Sequence, residues 1–91
     1  MEVVRSIELS NKFGLHARAS TRLAQTAKQF QASIRVSRQG SDEDVDAKSI
    51  LGILTLGAEK GQVLSIRTFG EDAEQAMVAV MQLIQQNFGE E

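Results

Sequence analysis

The sequence predicts an α+β fold: an open-faced β-sandwich with a four-stranded antiparallel sheet and three helices on one face. Two observations predict it. Hydrophobic residues switch between alternation and helical spacing in the order βαββαβα. The strand candidates are apolar on one face only, so helices must cover that face while the other stays in water. The chain has 91 residues and no cysteine. It is therefore expected to be a single domain, residues 1–91, whose modest core forms without disulfides.

Val3 to Leu9 reads as the first strand, with Ile7 and Leu9 alternating with Ser6 and Glu8. Asn11 to Gly14 reads as a loop. From Ala17 to about Phe30 the spacing becomes helical, with Ala17, Ser20, Leu23, Ala24, Ala27 and Phe30 on one stripe. Arg18 and Arg22 lie four apart on another face, where like charges cost a few tenths of a kcal/mol, about 0.2–0.5. An anionic ligand or partner would relieve that cost; a solvated face is the simpler reading for Arg22.

Ala32 to Ser37 is a second strand with Ile34 and Val36 pointing one way. A polar turn, Arg38 to Asp44, contains Gly40 and leads to a short strand around Val45. Its acidic run, Asp42-Glu43-Asp44, lacks the ligand spacing of a calcium loop. Ser49 to Leu56 is a short helix that Ser49 can cap and Gly57 can end. Ile50, Leu51, Ile53, Leu54 and Leu56 are too many apolar residues for one face of two turns, so some must stay exposed as a docking surface. Gln62 to Phe69 is another strand, closed by Gly70. The last helix runs from about Asp72 to Asn87, with Ala73, Ala76, Met77, Val80, Leu83 and Ile84 as its apolar stripe. Asp72 followed by Gln75 has the spacing of a capping box. Met77 and Met81 are its core and flank.

Composition excludes several function classes. Without cysteine there is no thiolate nucleophile or zinc cluster, and no metal or cofactor is expected. The longest apolar run, Ile50 to Ala58, is broken by Gly52, Thr55 and Gly57 and falls far short of the roughly 20 residues of a membrane span. Glu2, Arg5 and Glu8 stand where a signal peptide would be apolar, so a cytoplasmic protein without membrane insertion is expected. Residues 1–38 hold seven Lys/Arg and two Asp/Glu, and residues 39–91 hold three and ten. Part of the surface is thus basic enough to steer an acidic protein partner. Nucleic acid is not expected: the only aromatics are four phenylalanines, none in a basic cluster.

The residue that carries chemistry is His16, the only histidine, placed just after Gly14-Leu15 and just before the first helix. The first amides of a helix have no intrahelical partners and the dipole is positive there, so the position favours an anion. The same field works against an imidazolium and favours the neutral, nucleophilic ring. Arg18 adds a fixed cation suited to phosphate oxygens. A phosphate on His16, held by a helix N-terminus and Arg18, is the expectation.

Two stretches then resemble one family. Gly14-Leu15-His16-Ala17-Arg18 resembles the active-site motif of HPr, the histidine-containing phosphocarrier of the bacterial phosphotransferase system. Lys48-Ser49-Ile50-Leu51-Gly52-Ile53-Leu54-Thr55-Leu56-Gly57 resembles the family's second motif, a regulatory serine and its short helix. The resemblance covers almost the whole chain, in order. It implies that His16 accepts a phosphoryl group from enzyme I, charged by phosphoenolpyruvate, and passes it to a histidine of an EIIA-type domain. It implies that Arg18 stabilises the phosphate, and that Ser49 is the serine HPr kinase/phosphorylase modifies in many bacteria. Ile50, Leu51 and Leu54 match the partner-docking patch, and Arg22 lies on the basic helix face beside it. A monomeric, stoichiometric carrier, not an enzyme, is expected.

The chain departs from the family at Ala19, where proline usually follows the arginine, and in a hairpin about two residues longer through Asp42-Glu43-Asp44. Alanine keeps the helix but fixes the loop less. Nitrogen-branch relatives often lack that proline too, so the pathway stays open. The alternative is a regulatory binding protein of the same fold, of nitrogen-branch or catabolite-control type, acting through its phosphorylation state and partner binding.

Overall fold

The computed structural model describes residues Met1 to Glu90. The elements follow as β1 (Glu2–Glu8), α1 (Ala17–Ala27), β2 (Ser33–Arg38), β3 (Asp44–Asp46), α2 (Ile50–Thr55), β4 (Val63–Phe69) and α3 (Ala73–Gln85), ending in a 3-10 turn (Asn87–Gly89). The four strands form one antiparallel sheet in the order β1-β4-β2-β3. The predicted α+β architecture is the observed one.

Alternation sets the register. Ile34 and Val36 of β2 and Leu64 and Ile66 of β4 are fully buried, while Arg35, between the first pair, and Arg67, next after Ile66, reach water. Val36 pairs with Ile66 across the strands, so one face of the sheet presents a continuous apolar surface. Leu23, Ala24 and Ala27 of α1, Ile53 of α2 and Ala76, Val80 and Ile84 of α3 close over it. Burying each Leu or Ile side chain contributes about 1.5–3 kcal/mol.

Three expectations need correction. Ala17 is exposed and Ala19 is the fully buried alanine of the first turn, because the stripe of α1 begins two residues later than the spacing suggested. Alanine at 19 therefore does more than spare the helix: it packs. The regular helix α1 stops at Ala27 and α3 at Gln85, each two or three residues early. Asp72 sits at the N-cap of α3, but its side chain makes no cap hydrogen bond. Its carboxylate accepts instead from the backbone N–H of Gln31 (2.9 Å) and Ala32 (2.8 Å), latching the loop between α1 and β2. The Gln31 amide, the leading influence, and the Ala32 amide hold the Asp72 carboxyl below its ordinary range, against a desolvation that raises it.

Candidate functional site

His16 is the N-cap residue of α1 (φ −76°, ψ −177°), and its side chain does not cap the helix. Its carbonyl accepts the first intrahelical bond, from the Ser20 N–H at 2.9 Å. The ring is thus left to chemistry, and the first-turn amides keep the open, electropositive end the sequence anticipated.

The loop that delivers His16 is built around Gly14. Its φ of +61° lies in the left-handed region, and a Cβ there would stand 2.5 Å from the Ala58 carbonyl oxygen and 2.8 Å from Glu59 Cα. The close approach lets the Leu15 N–H donate to the Ala58 carbonyl at 3.0 Å, while Leu15 buries its side chain. Ser20 Oγ donates to the Leu15 carbonyl at 3.1 Å. The segment leaving α2 therefore braces the loop that holds His16.

The C-terminal turn closes the other side. Asn87 (φ 54°), Phe88 (φ 59°) and Gly89 (φ 75°) are all left-handed, which is uncommon for a residue as bulky as phenylalanine and costs about 1–2 kcal/mol. Burial of the Phe88 ring, 1% exposed, offsets that cost. Arg22 Nη1 donates to the Phe88 carbonyl at 2.5 Å, and Ser10 Oγ donates to Asn87 Oδ1 at 2.7 Å. The fixed turn brings Glu90 Oε2 to 2.5 Å from His16 Nε2. The two side chains are 29% and 17% exposed, so the contact is only partly screened.

Asn11 ties loop and turn together. Its Nδ2 donates to the Gly14 carbonyl at 2.8 Å and to Glu90 Oε1 at 3.1 Å. Its Oδ1 is buried with no partner among the described residues, a cost of about 1–3 kcal/mol that the two donated bonds help offset. Burial raises the Glu90 carboxyl, but the hydrogen bonds from Asn11 and His16 and the charges of His16 and Arg18 outweigh it and hold the group below its ordinary range. The Phe13 ring, 64% exposed, meets the imidazole edge-on at 5.7 Å between centroids, and Lys12 Nζ lies 5.4 Å from the Phe13 centroid. His16, Arg18, Lys12 and Glu90 line one open cavity of about 440 Å³, wide enough for a phosphoryl group.

The structure brings His16 and Arg18 to this cavity and gives Arg22 a role not foreseen, as the pin of the C-terminal turn. Ser49 caps α2, its Oγ accepting from the Gly52 N–H at 3.0 Å. Leu51 (76% exposed) and Leu54 (37%) form the exposed apolar surplus, whereas Ile50 is partly buried against the core. Asn11, Phe13 and Glu90 were missed. The clue for Asn11 was its place in the loop before His16; for Glu90 there was only a preceding Asn and Gly able to turn the chain.

Comparison with known proteins agrees with this fold. The family model for the HPr component phosphorylation site of the phosphotransferase system matches residues 3–86. The phosphocarrier protein HPr of Neisseria meningitidis serogroup B is 46% identical over 86 residues, 94% of each chain. The multiphosphoryl transfer protein of Salmonella typhimurium is 40% identical over 81 residues, 88% of this chain and 22% of that protein. Among solved structures, HPr of Thermoanaerobacter tengcongensis superposes with a TM-score of 0.89 at 43% identity, covering 100% of this chain and 98% of its own. With a family model that matches residues 3–86, relatives this similar over nearly the whole chain and the same fold, the chain belongs to the HPr family of the phosphotransferase system.

Proposed function

We infer that His16 is the residue that carries the phosphoryl group, taking it from phospho-enzyme I and passing it to an EIIA-type histidine. The carrying observation is that the His16 ring stands at the uncapped N-terminus of α1, facing a cavity that Arg18 also lines. Nε2 is engaged by Glu90, so the accepting nitrogen is Nδ1. The open amides and the Arg18 guanidinium stabilise the phosphoryl oxygens; phosphoryl transfer asks mainly for such positioning and charge. The protein acts stoichiometrically as a cytoplasmic monomer.

Donor and acceptor dock on Leu51 and Leu54, with Ile50 at the patch's buried margin and Arg22 at the basic edge. Ser49, at the start of the same helix, is the regulatory site. A phosphate there adds close to two negative charges beside the docking leucines and repels an acidic partner.

Incubation with phosphoenolpyruvate and enzyme I tests the carrier reading. The wild type takes up one acid-labile phosphate, and His16→Ala takes up none. Undiminished label on His16→Ala, or label that survives acid, overturns it.

A further inference from the structure

The loop before His16 makes one tight turn. The Gly14 N–H donates to the Asn11 carbonyl at 3.3 Å, so Asn11 to Gly14 is a β-turn with Lys12 and Phe13 at its corner. Both ends of the turn are fixed. Asn11 is 2% exposed and its Nδ2 donates back to the Gly14 carbonyl, while Gly14 is wedged against Ala58. The corner residues are therefore held beside the cavity that they line with His16 and Arg18.

Neither corner side chain serves the core: both residues are exposed. They meet each other and the site instead. Lys12 Nζ stands over the Phe13 ring, 5.4 Å from its centroid, and the same ring meets the His16 imidazole edge-on at 5.7 Å. A lysine stem is flexible, and its ammonium is free to wander into solvent unless something holds it. The negative face of an aromatic ring attracts that ammonium, so Phe13 keeps the charge near the imidazole. The charges at the site give this placement a use. Three charged side chains line the cavity: Arg18 from α1, Lys12 from the loop and Glu90 from the C-terminal turn. A phosphoryl group on His16 brings close to two more negative charges, and Glu90 adds to them. Arg18 alone does not balance that sum. Lys12 is the second cation, a compact point charge suited to phosphate oxygens.

We propose that Lys12 is a second phosphate-stabilising cation for the group carried on His16, and that Phe13 is the positioning residue that holds the Lys12 ammonium at the cavity. This rests on the carrier reading above. The phosphoryl oxygens are then flanked by cations from two elements, Arg18 on α1 and Lys12 on the clamped turn before it.

The test uses the full chain phosphorylated chemically with phosphoramidate, which reaches His16, the only histidine, without enzyme I. Phosphorus NMR follows the second ionisation of the phosphoryl group across pH for the wild type, Lys12→Gln, Lys12→Arg, Phe13→Ala and Lys28→Gln. A nearby cation favours the dianion and lowers this pKa, so removing the cation raises it. Lys12→Gln is expected to raise it by about half a pH unit. Lys12→Arg keeps the charge and titrates near the wild type. Phe13→Ala gives a smaller rise, because the ammonium is still present but no longer held. Lys28→Gln removes the same charge at the far end of α1, roughly 18 Å along the helix, and leaves the titration unchanged. A Lys12→Gln curve that superimposes on the wild type overturns the proposal. So does an equal shift in Lys28→Gln, which marks net charge alone. A Phe13→Ala curve identical to the wild type overturns the part assigned to the ring. Failure of enzyme I to label the wild type overturns the carrier reading instead, and the titrations of the chemically phosphorylated protein still decide the role of Lys12.

Discussion

The N-termini of α1 and α2 begin alike and end up differently. Both N-caps, His16 and Ser49, have extended backbones and accept the first helical bond with their carbonyls, from Ser20 and Ile53. Ser49 then satisfies its own helix, its hydroxyl accepting from the Gly52 N–H three residues on. His16 does not: its ring turns away to Glu90, and no side chain of its own caps the amides. A helix start closed by its own residue is finished as structure. One left open, and braced by distant parts of the chain, keeps its field for an anion. The cost of that openness is carried by the Gly14 loop, the buried Asn11 and the strained C-terminal turn.

The comparison breaks most visibly at Gly14. Alanine there meets the Ala58 carbonyl in a left-handed backbone, so the loop must pull away from the segment after α2. Gly14→Ala is expected to cost about 2–4 kcal/mol in urea unfolding and to lower phosphoryl uptake in whatever fraction remains folded. Wild-type stability would mean that the loop, and with it the open N-terminus of α1, is not set by this contact.

A smaller effect sharpens the other half. Ser49→Ala removes the cap of α2 and should cost about 1 kcal/mol, with phosphoryl transfer to the histidine unchanged. A large loss of transfer without loss of stability would show that the two helix starts are not separable in the way their hydrogen bonds suggest.

The third N-cap gives the smallest effect. Asp72 belongs to neither pattern, since its carboxylate serves Gln31 and Ala32 and not its own helix. Its folded-state carboxyl is held below the ordinary value of 3.8, so its contribution is present above that value and is lost as the pH falls through the lowered one. Acid unfolding followed between about pH 4 and pH 2 should show a shallower dependence for Asp72→Asn than for the wild type. Identical slopes would mean that the latch carries no stability.

Where the sequence was legible, the signal was local. Ser49 and Gly52 lie within one helical turn, so cap chemistry alone foretold their bond. Alternation in Ile34 and Val36, and in Leu64 and Ile66, foretold which sheet face is buried, because side chains alternate along any strand. Asp72 had the spacing of a capping box, but a helix start offers amides that a loop brought close can outbid. Here the amides of Gln31 and Ala32, about 40 residues back, won the carboxylate.

By itself, then, the sequence determined the βαββαβα order, the one-faced sheet, and a lone histidine beside an arginine where a helix begins. Those follow from periodicity and backbone stereochemistry acting over a few residues. Only the tertiary structure decided that Ala58 braces the histidine loop, that Arg22 pins the chain end 66 residues on, and that Glu90 reaches His16. Contacts at such separations are set by how the packed elements close on one another. Neither a glutamate near the end of a chain nor an arginine on a helix face announces the distant group it will meet.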